Sequence, residues 1–93
     1  LGVHGVDVDA GLTTPNLLEA ETDRALIASA GQVVVVADHS KHGVVALSRI
    51  AGLDAVDVLV TDDALAPEAT RALGDAVGSL VLAPAHPNGD ARP

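Results

Sequence analysis

Phenylalanine, tryptophan, tyrosine, cysteine and methionine are all missing from the 93 residues. Any apolar interior must therefore be built from Ala, Val, Leu and Ile, although hydrophobic residues make up 48% of the chain. Small and β-branched aliphatics suit parallel strands and close-packed helices better than an aromatic-anchored sandwich, which points to an α/β fold. Without cysteine there is no disulfide and no thiolate chemistry. The lack of methionine, even at position 1, leads us to expect a piece of a longer polypeptide. Basic residues are scarce: five Lys and Arg stand against thirteen Asp and Glu, a formal charge of −8. A body of that sign repels the phosphate backbone that dominates nucleic-acid affinity, so this segment is not expected to bind DNA itself. Long apolar runs are also lacking. The longest, Val33 to Ala37, falls far short of the roughly 18 residues of a membrane span, and no signal-peptide pattern is visible. A soluble, cytoplasmic protein without a membrane partner is the expectation.

What is present reads as alternating strands and helices. Leu1 to Val8 alternates apolar with polar or small residues, as a strand running into a turn at Asp9 to Gly11. Asn16 and Glu19 are spaced as a capping box behind Pro15, predicting a helix from about Asn16 to Ala30 that stops at Gly31. Its inner side is expected to carry Leu18, Thr22, Ala25 and Ser29, with Glu19, Asp23 and Arg24 facing water. Gln32 to Ala37 holds four consecutive valines, the pattern of a central strand covered on both faces. Val44 to Ile50 favours a short strand. Asp57 to Val60 reads as another buried strand, Ala66 to Leu73 as a short helix with Pro67 and Glu68 in its first turn and Gly74 beyond it, and Val77 to Ala83 as a last strand. The order implies a mostly parallel sheet flanked by helices. We expect part of one domain over residues 1–85 and a disordered Pro- and Gly-rich tail over 86–93.

Ligands of open parallel sheets sit outside the carboxyl ends of the strands. Three polar clusters fall at such ends: His4 to Asp7, Asp38 to Lys41, and Thr61 to Asp63. Among them Asp38, His39, Ser40, Lys41 is the strongest local signal, because a hydroxyl, backbone amides and the chain's single ammonium on a tight loop suit a phosphate or carboxylate. The alternative is that Asp38 and Ser40 only satisfy backbone groups of the turn while Lys41 extends into water. Asp38, His39 and His42 lack the spacing of known zinc sites. Asp62 and Asp63 are better read as capping and dipole-favourable groups preceding a helix start than as a catalytic or magnesium pair. Gly2 and Gly5 are too few for a dinucleotide fingerprint, and neighbouring Asp38, His39 and Ser40 cannot orient one another as a triad. No metal or cofactor is expected.

The segment Val33 to Gly43, VVVVADHSKHG, resembles the valine-rich strand followed by D-x-S-K and a glycine in the sensor domains of DeoR-type bacterial transcriptional regulators. Leu1 to Asp7 with Gly11 to Thr13, the helix residues Glu19, Ala20, Glu21, Arg24, Ala25 and Ile27, and Leu53 to Asp62 ending in Thr-Asp resemble further pieces of that domain in the same order. The resemblance implies a fold similar to part of ribose-5-phosphate isomerase and CoA-transferring enzymes. It also implies an effector site for a phosphorylated sugar or related metabolite formed by Asp38, Ser40 and Lys41, with His4 and Gly5 from the glycine-containing strand-loop beside them. A missing amino-terminal helix-turn-helix would carry DNA binding, and a homo-oligomer is expected. The isomerases are similar in having acidic residues after the first strand, where this chain has Val3, His4 and Gly5. General-base chemistry then has no evident agent unless Asp7 supplies it, so binding without turnover is the expectation and a sugar-phosphate isomerase the alternative.

Overall fold

A computed structural model describes residues 1–84; the tail expected over 86–93 lies outside the described residues. The elements are β1 (Gly5–Asp7), β2 (Gly11–Thr14), α1 (Leu17–Ser29), β3 (Val34–Val36), β4 (Ser48–Ala51), β5 (Val58–Asp62), α2 (Pro67–Ala76) and β6 (Ser79–Ala83), with single 3-10 turns at His39–Lys41 and Leu53–Ala55. The α/β class is as expected, but the single, mostly parallel sheet is not. Two three-stranded sheets form, ordered β1-β2-β4 and β3-β5-β6. The first is antiparallel and the second parallel.

The difference begins at Asp7. Its carboxylate accepts the backbone N–H of Asp9 at 3.0 Å and of Ala10 at 2.8 Å, closing a local turn of the kind short acidic side chains favour. Gly11 then continues with φ of +80°, a region a side chain resists. The chain reverses into β2, so the residues expected to form one strand are divided between two sheets. Leu1 and Gly2 run beside β3, where the Leu1 ammonium donates to the Val34 carbonyl and Val36 N–H to the Leu1 carbonyl. Gly5 to Asp7 join the hairpin instead. A second difference is at Val44 to Ile50: Val44, Val45 and Leu47 are exposed and only Ser48–Ala51 is strand.

Helix α1 starts where the sequence places it. The Asn16 side chain accepts the Glu19 N–H at 3.0 Å; the Glu19 carboxylate does not close the capping box but accepts the Thr14 hydroxyl at 2.6 Å. The inner face is the reverse of the expected one. Ala20 and Asp23 are buried, Ile27 packs against the core, and Leu18, Thr22, Ala25 and Ser29 are exposed. Apolar residues are spread around this helix, so periodicity does not choose a face. The choice falls to anchors at its sides, Glu19 on Thr14 and the Arg24 guanidinium on the Arg49 carbonyl. One result is a carboxyl group, Asp23, whose pKa burial raises first and Glu19 second. Helix α2 runs past Gly74 to Ala76.

The deepest aliphatic side chains, Leu12, Leu59, Leu73, Val35 and Val56, come from both sheets, α2 and the connection before β5, and form one core. Within the parallel sheet the register Val35↔Leu59↔Leu80 puts Val35 and Leu59 on the covered face. On the other face Val34, Val36 and Val81 are exposed, and Val58 and Val60 are half-buried. The central valine strand is thus covered on one face rather than two among the described residues, and β5 is the middle strand of its sheet.

The β2–β4 crossing is tight: a Cβ on Gly11 would lie 2.2 Å from the Ala51 carbonyl oxygen, on a backbone already at positive φ. Gly11→Ala is predicted to cost at least about 2 kcal/mol in urea unfolding. Gly31→Ala, where a Cβ meets nothing within 4 Å, is predicted to stay within about 0.5 kcal/mol of wild type.

Candidate functional site

Parallel pairing makes β3 and β5 end side by side, with Val36 opposite Val60 and the Ala37 N–H bonded to the Val60 carbonyl at 3.0 Å. Two residues further on, Asp38 and Asp62 stand at the same rim. Asp38 opens the His39–Lys41 turn; its carboxylate accepts the Ser40 N–H at 2.8 Å and also the Ser40 hydroxyl. Those bonds, the side-chain one foremost, hold the Asp38 carboxyl below its ordinary range, with help from the charges of Lys41 and His39. Asp38 and Ser40 therefore do what the turn-capping alternative describes. Lys41 closes the turn and is half-buried.

Asp62, at the end of β5, reaches across to this turn. Its carboxylate accepts the His39 backbone N–H at 3.0 Å and meets the ring Nδ1 at 2.9 Å. It also accepts the Ala64 N–H at 3.0 Å, closing a local turn; the helix that follows is entered through Ala66 without a side-chain cap, so Asp62 does not fill the helix-capping role expected of it. The hydrogen bond to Asp62 and then its charge raise the His39 pKa. The same side-chain bond lowers the pKa of Asp62.

Of the three polar clusters, two therefore touch directly. The first joins through backbone: the Gly43 N–H donates to the Val6 carbonyl at 2.8 Å, and Val6 bridges to His42 in parallel. Gly5 is buried where the chain passes closely, and a Cβ there would stand 2.2 Å from the Val44 carbonyl oxygen and 2.4 Å from the Thr13 hydroxyl. His4 is exposed and turned towards α1, with Nδ1 3.3 Å from the Thr14 hydroxyl and 3.7 Å from the Glu19 carboxylate. It is not joined to the Asp38–Lys41 turn by any of these contacts.

Two depressions flank the turn. One, about 470 Å³, lies between His39, His42 and Val8 on one side and Ala66, Glu68 and Ala69 of the α2 entry on the other. The second, about 170 Å³, is a shallow trough over the strand ends lined by Asp38, Thr61 and Asp62. The second is the poorer place for an anion, because two carboxylates border it. The first offers two imidazoles. Asp38, His39 and Asp62 each bring a ligand atom within 4.8 Å of the others, a set in which Asp62 replaces the His42 considered from sequence. The His39–Asp62 hydrogen bonds account for two of the three, and Asp38 is engaged with Ser40. The contact of Asp62 to His39 escaped the sequence because the two are 23 residues apart. The available signal was that two neighbouring parallel strands both end in an acidic residue.

The sequence matches the family described as the DeoR C terminal sensor domain over residues 1–63. It is 42% identical over 65 residues to the HTH-type transcriptional regulator GlpR of Haloferax volcanii, covering 70% of this chain and 26% of that protein. It is 37% identical over 62 residues to the glycerol-3-phosphate regulon repressor of Escherichia coli K12, covering 67% and 25%. An HTH-type regulator of Bacillus subtilis, FruR, is 39% identical over 62 residues, covering 67% and 25%. The chain thus spans about a quarter of the length of these relatives. No helix among the described residues is long and apolar enough to cross a membrane.

The His39–Asp62 pair predicts a pH window. A raised His39 pKa stabilises the fold below the ordinary value of 6.5, and the contribution is lost as pH rises through the folded value. A lowered Asp62 pKa contributes above 3.8 and is lost as pH falls through its folded value. The pair is therefore intact between these values. In an NMR titration the His39 ring should show a midpoint above 6.5, and Asp62→Asn should move it down.

Proposed function

The chain belongs to the DeoR C-terminal sensor domain family, and from that premise we propose that it is the effector-sensing part of a transcriptional regulator that binds a phosphorylated sugar or related small metabolite. The observation that carries this reading is the rim itself: the chain's single lysine sits in a turn at the carboxyl end of β3, braced by the neighbouring strand end. In this reading Lys41 supplies the charge that meets the phosphate, and Asp38 and Ser40 set the turn that presents it. His4 and Gly5 act at the margin of the site, Gly5 by allowing the close passage of residues 44–46 and His4 through its Thr14 and Glu19 contacts. DNA binding belongs to a separate helix-turn-helix part of a cytoplasmic, homo-oligomeric regulator, and the effector acts by preferring one of two sensor states. The fuller fold this implies is similar to that of ribose-5-phosphate isomerase.

Binding without turnover fits the geometry better than isomerisation. Asp7 is the carboxylate nearest the position an enzyme base would need, and it is engaged with the Asp9 and Ala10 amides in its own turn. Proton abstraction beside a carbonyl needs a carboxylate within hydrogen-bond reach of substrate.

The test is thermal stabilisation by phosphate esters. Glycerol 3-phosphate, suggested by the name of the Escherichia coli relative, is the first probe, followed by hexose and pentose phosphates. An ester at a hundred times its Kd should stabilise the fold by about 2.7 kcal/mol, and Lys41→Ala should remove that stabilisation while leaving the unliganded midpoint within about 3 °C of wild type. A panel that produces no shift with wild type, or an equal shift with Lys41→Ala, overturns the assignment. Proton NMR of the bound ester should show no aldose-ketose interconversion over hours.

A further inference from the structure

Resting on the effector reading above, we propose that Asp62 is the positioning residue of the site: its carboxylate fastens the His39–Lys41 turn to the end of β5 and thereby fixes where Lys41 meets an anion. The turn is internally rigid. Besides the Asp38 bonds to Ser40, the Lys41 N–H bonds to the Asp38 carbonyl at 3.0 Å and the His42 N–H to the His39 carbonyl at 3.2 Å. Those bonds define its shape and say nothing of where it sits on the sheet.

Placement comes from outside the turn. At its entry Ala37 is bonded to Val60, and at its exit Gly43 is bonded to Val6. Sideways, Asp62 takes both the backbone N–H and the ring nitrogen of His39. The asymmetry of burial gives the direction of control. The Asp62 side chain is 16% exposed and that of His39 51% exposed, and Asp62 is also pinned by Ala64. The carboxylate is the fixed point and the turn is what it holds. Because His39 lines the cleft against α2, the same fastening sets the mouth of that cleft. A residue that touches the turn and not the ligand acts on affinity by pre-organisation, reducing the ordering that binding would otherwise require.

The experiment uses the full chain in four forms, wild type, Asp62→Asn, His39→Ala and the double variant, read by amide hydrogen exchange and by titration with glycerol 3-phosphate. In Asp62→Asn the His39 amide should exchange about tenfold faster or more, as expected for loss of a charge-assisted hydrogen bond, while core amides such as Leu59 keep their rates. Affinity for the ester should fall about tenfold with the thermal midpoint within about 3 °C of wild type. The two single losses should be less than additive in the double variant, because both remove the ring–carboxylate contact, while His39→Ala keeps the backbone N–H bond to Asp62. Asp62→Glu should recover part of the affinity, and it keeps the test open if Asp62→Asn fails to fold. Unchanged His39 exchange, additive losses, or a fall in affinity that tracks only the unfolded fraction would overturn the proposal. If wild type binds no phosphate ester, the effector reading fails by itself. The exchange rates of the unliganded chain then still decide whether Asp62 holds the turn.

Discussion

The in-register parallel pairing of β3 with β5 is the constraint on which the candidate site depends. Val36 stands opposite Val60, so Asp38, two residues past the end of β3, and Asp62, the last residue of β5, reach the same rim. A register change of one residue would turn Asp62 to the other face of the sheet, away from the His39 amide. Register is enforced from below, because Val35 and Leu59 must both point into the core. Burial of two aliphatic side chains thus specifies where a carboxylate stands three residues later. That is the route by which an aliphatic sequence positions polar chemistry here.

The antiparallel sheet serves a different purpose. It packs its own Leu12 and Ile50 into the shared core and delivers Val6 to the far side of the His39–Lys41 turn. The turn is consequently gripped from two sheets, by Asp62 of one and by Val6 of the other. Gly5 and Gly11 permit the close approaches this needs, each at about 2 Å from where a Cβ would meet a carbonyl oxygen. The packing of the two sheets and the placing of the loop are one problem, so substitutions far from the rim can alter it.

Much of this was legible in the sequence. The valine run, the Asn16 cap, Pro67 at a helix start and the Asp-x-Ser-Lys turn each depend on neighbours within four residues, and each appears where local chemistry puts it. What was hidden was non-local. Asp7 to Gly11 looked like a plain turn, yet the Asp7 bonds and the Gly11 backbone direct the chain into a hairpin that divides the first strand between two sheets. The orientation of α1 was set by Thr14 and Arg49 rather than by its weak periodicity. At the site, Asp38 and Lys41 were visible because they are adjacent. The bond of Asp62 to His39 was not, because the sheet brings the two together.

The proposed anion site, on a chain of formal charge −8, needs a physical account. At physiological ionic strength charges are screened over about 8 Å, so the groups around the rim matter more than the total. There the two nearest carboxylates are already answered. Asp38 faces the Ser40 N–H and hydroxyl, and Asp62 faces the His39 amide, the His39 ring and the Ala64 amide. Their lowered pKa values have the same origin, since donors that stabilise a carboxylate also cancel much of its field towards a ligand. With those charges met locally, the polar groups left facing the 470 Å³ cleft are the imidazole edges of His39 and His42 and the Glu68 carboxylate at the α2 entry. The acidic surface elsewhere then discourages polyanions such as nucleic acid, which span many screening lengths. A small phosphate ester, the ligand proposed above, fits inside one and would meet that repulsion far less.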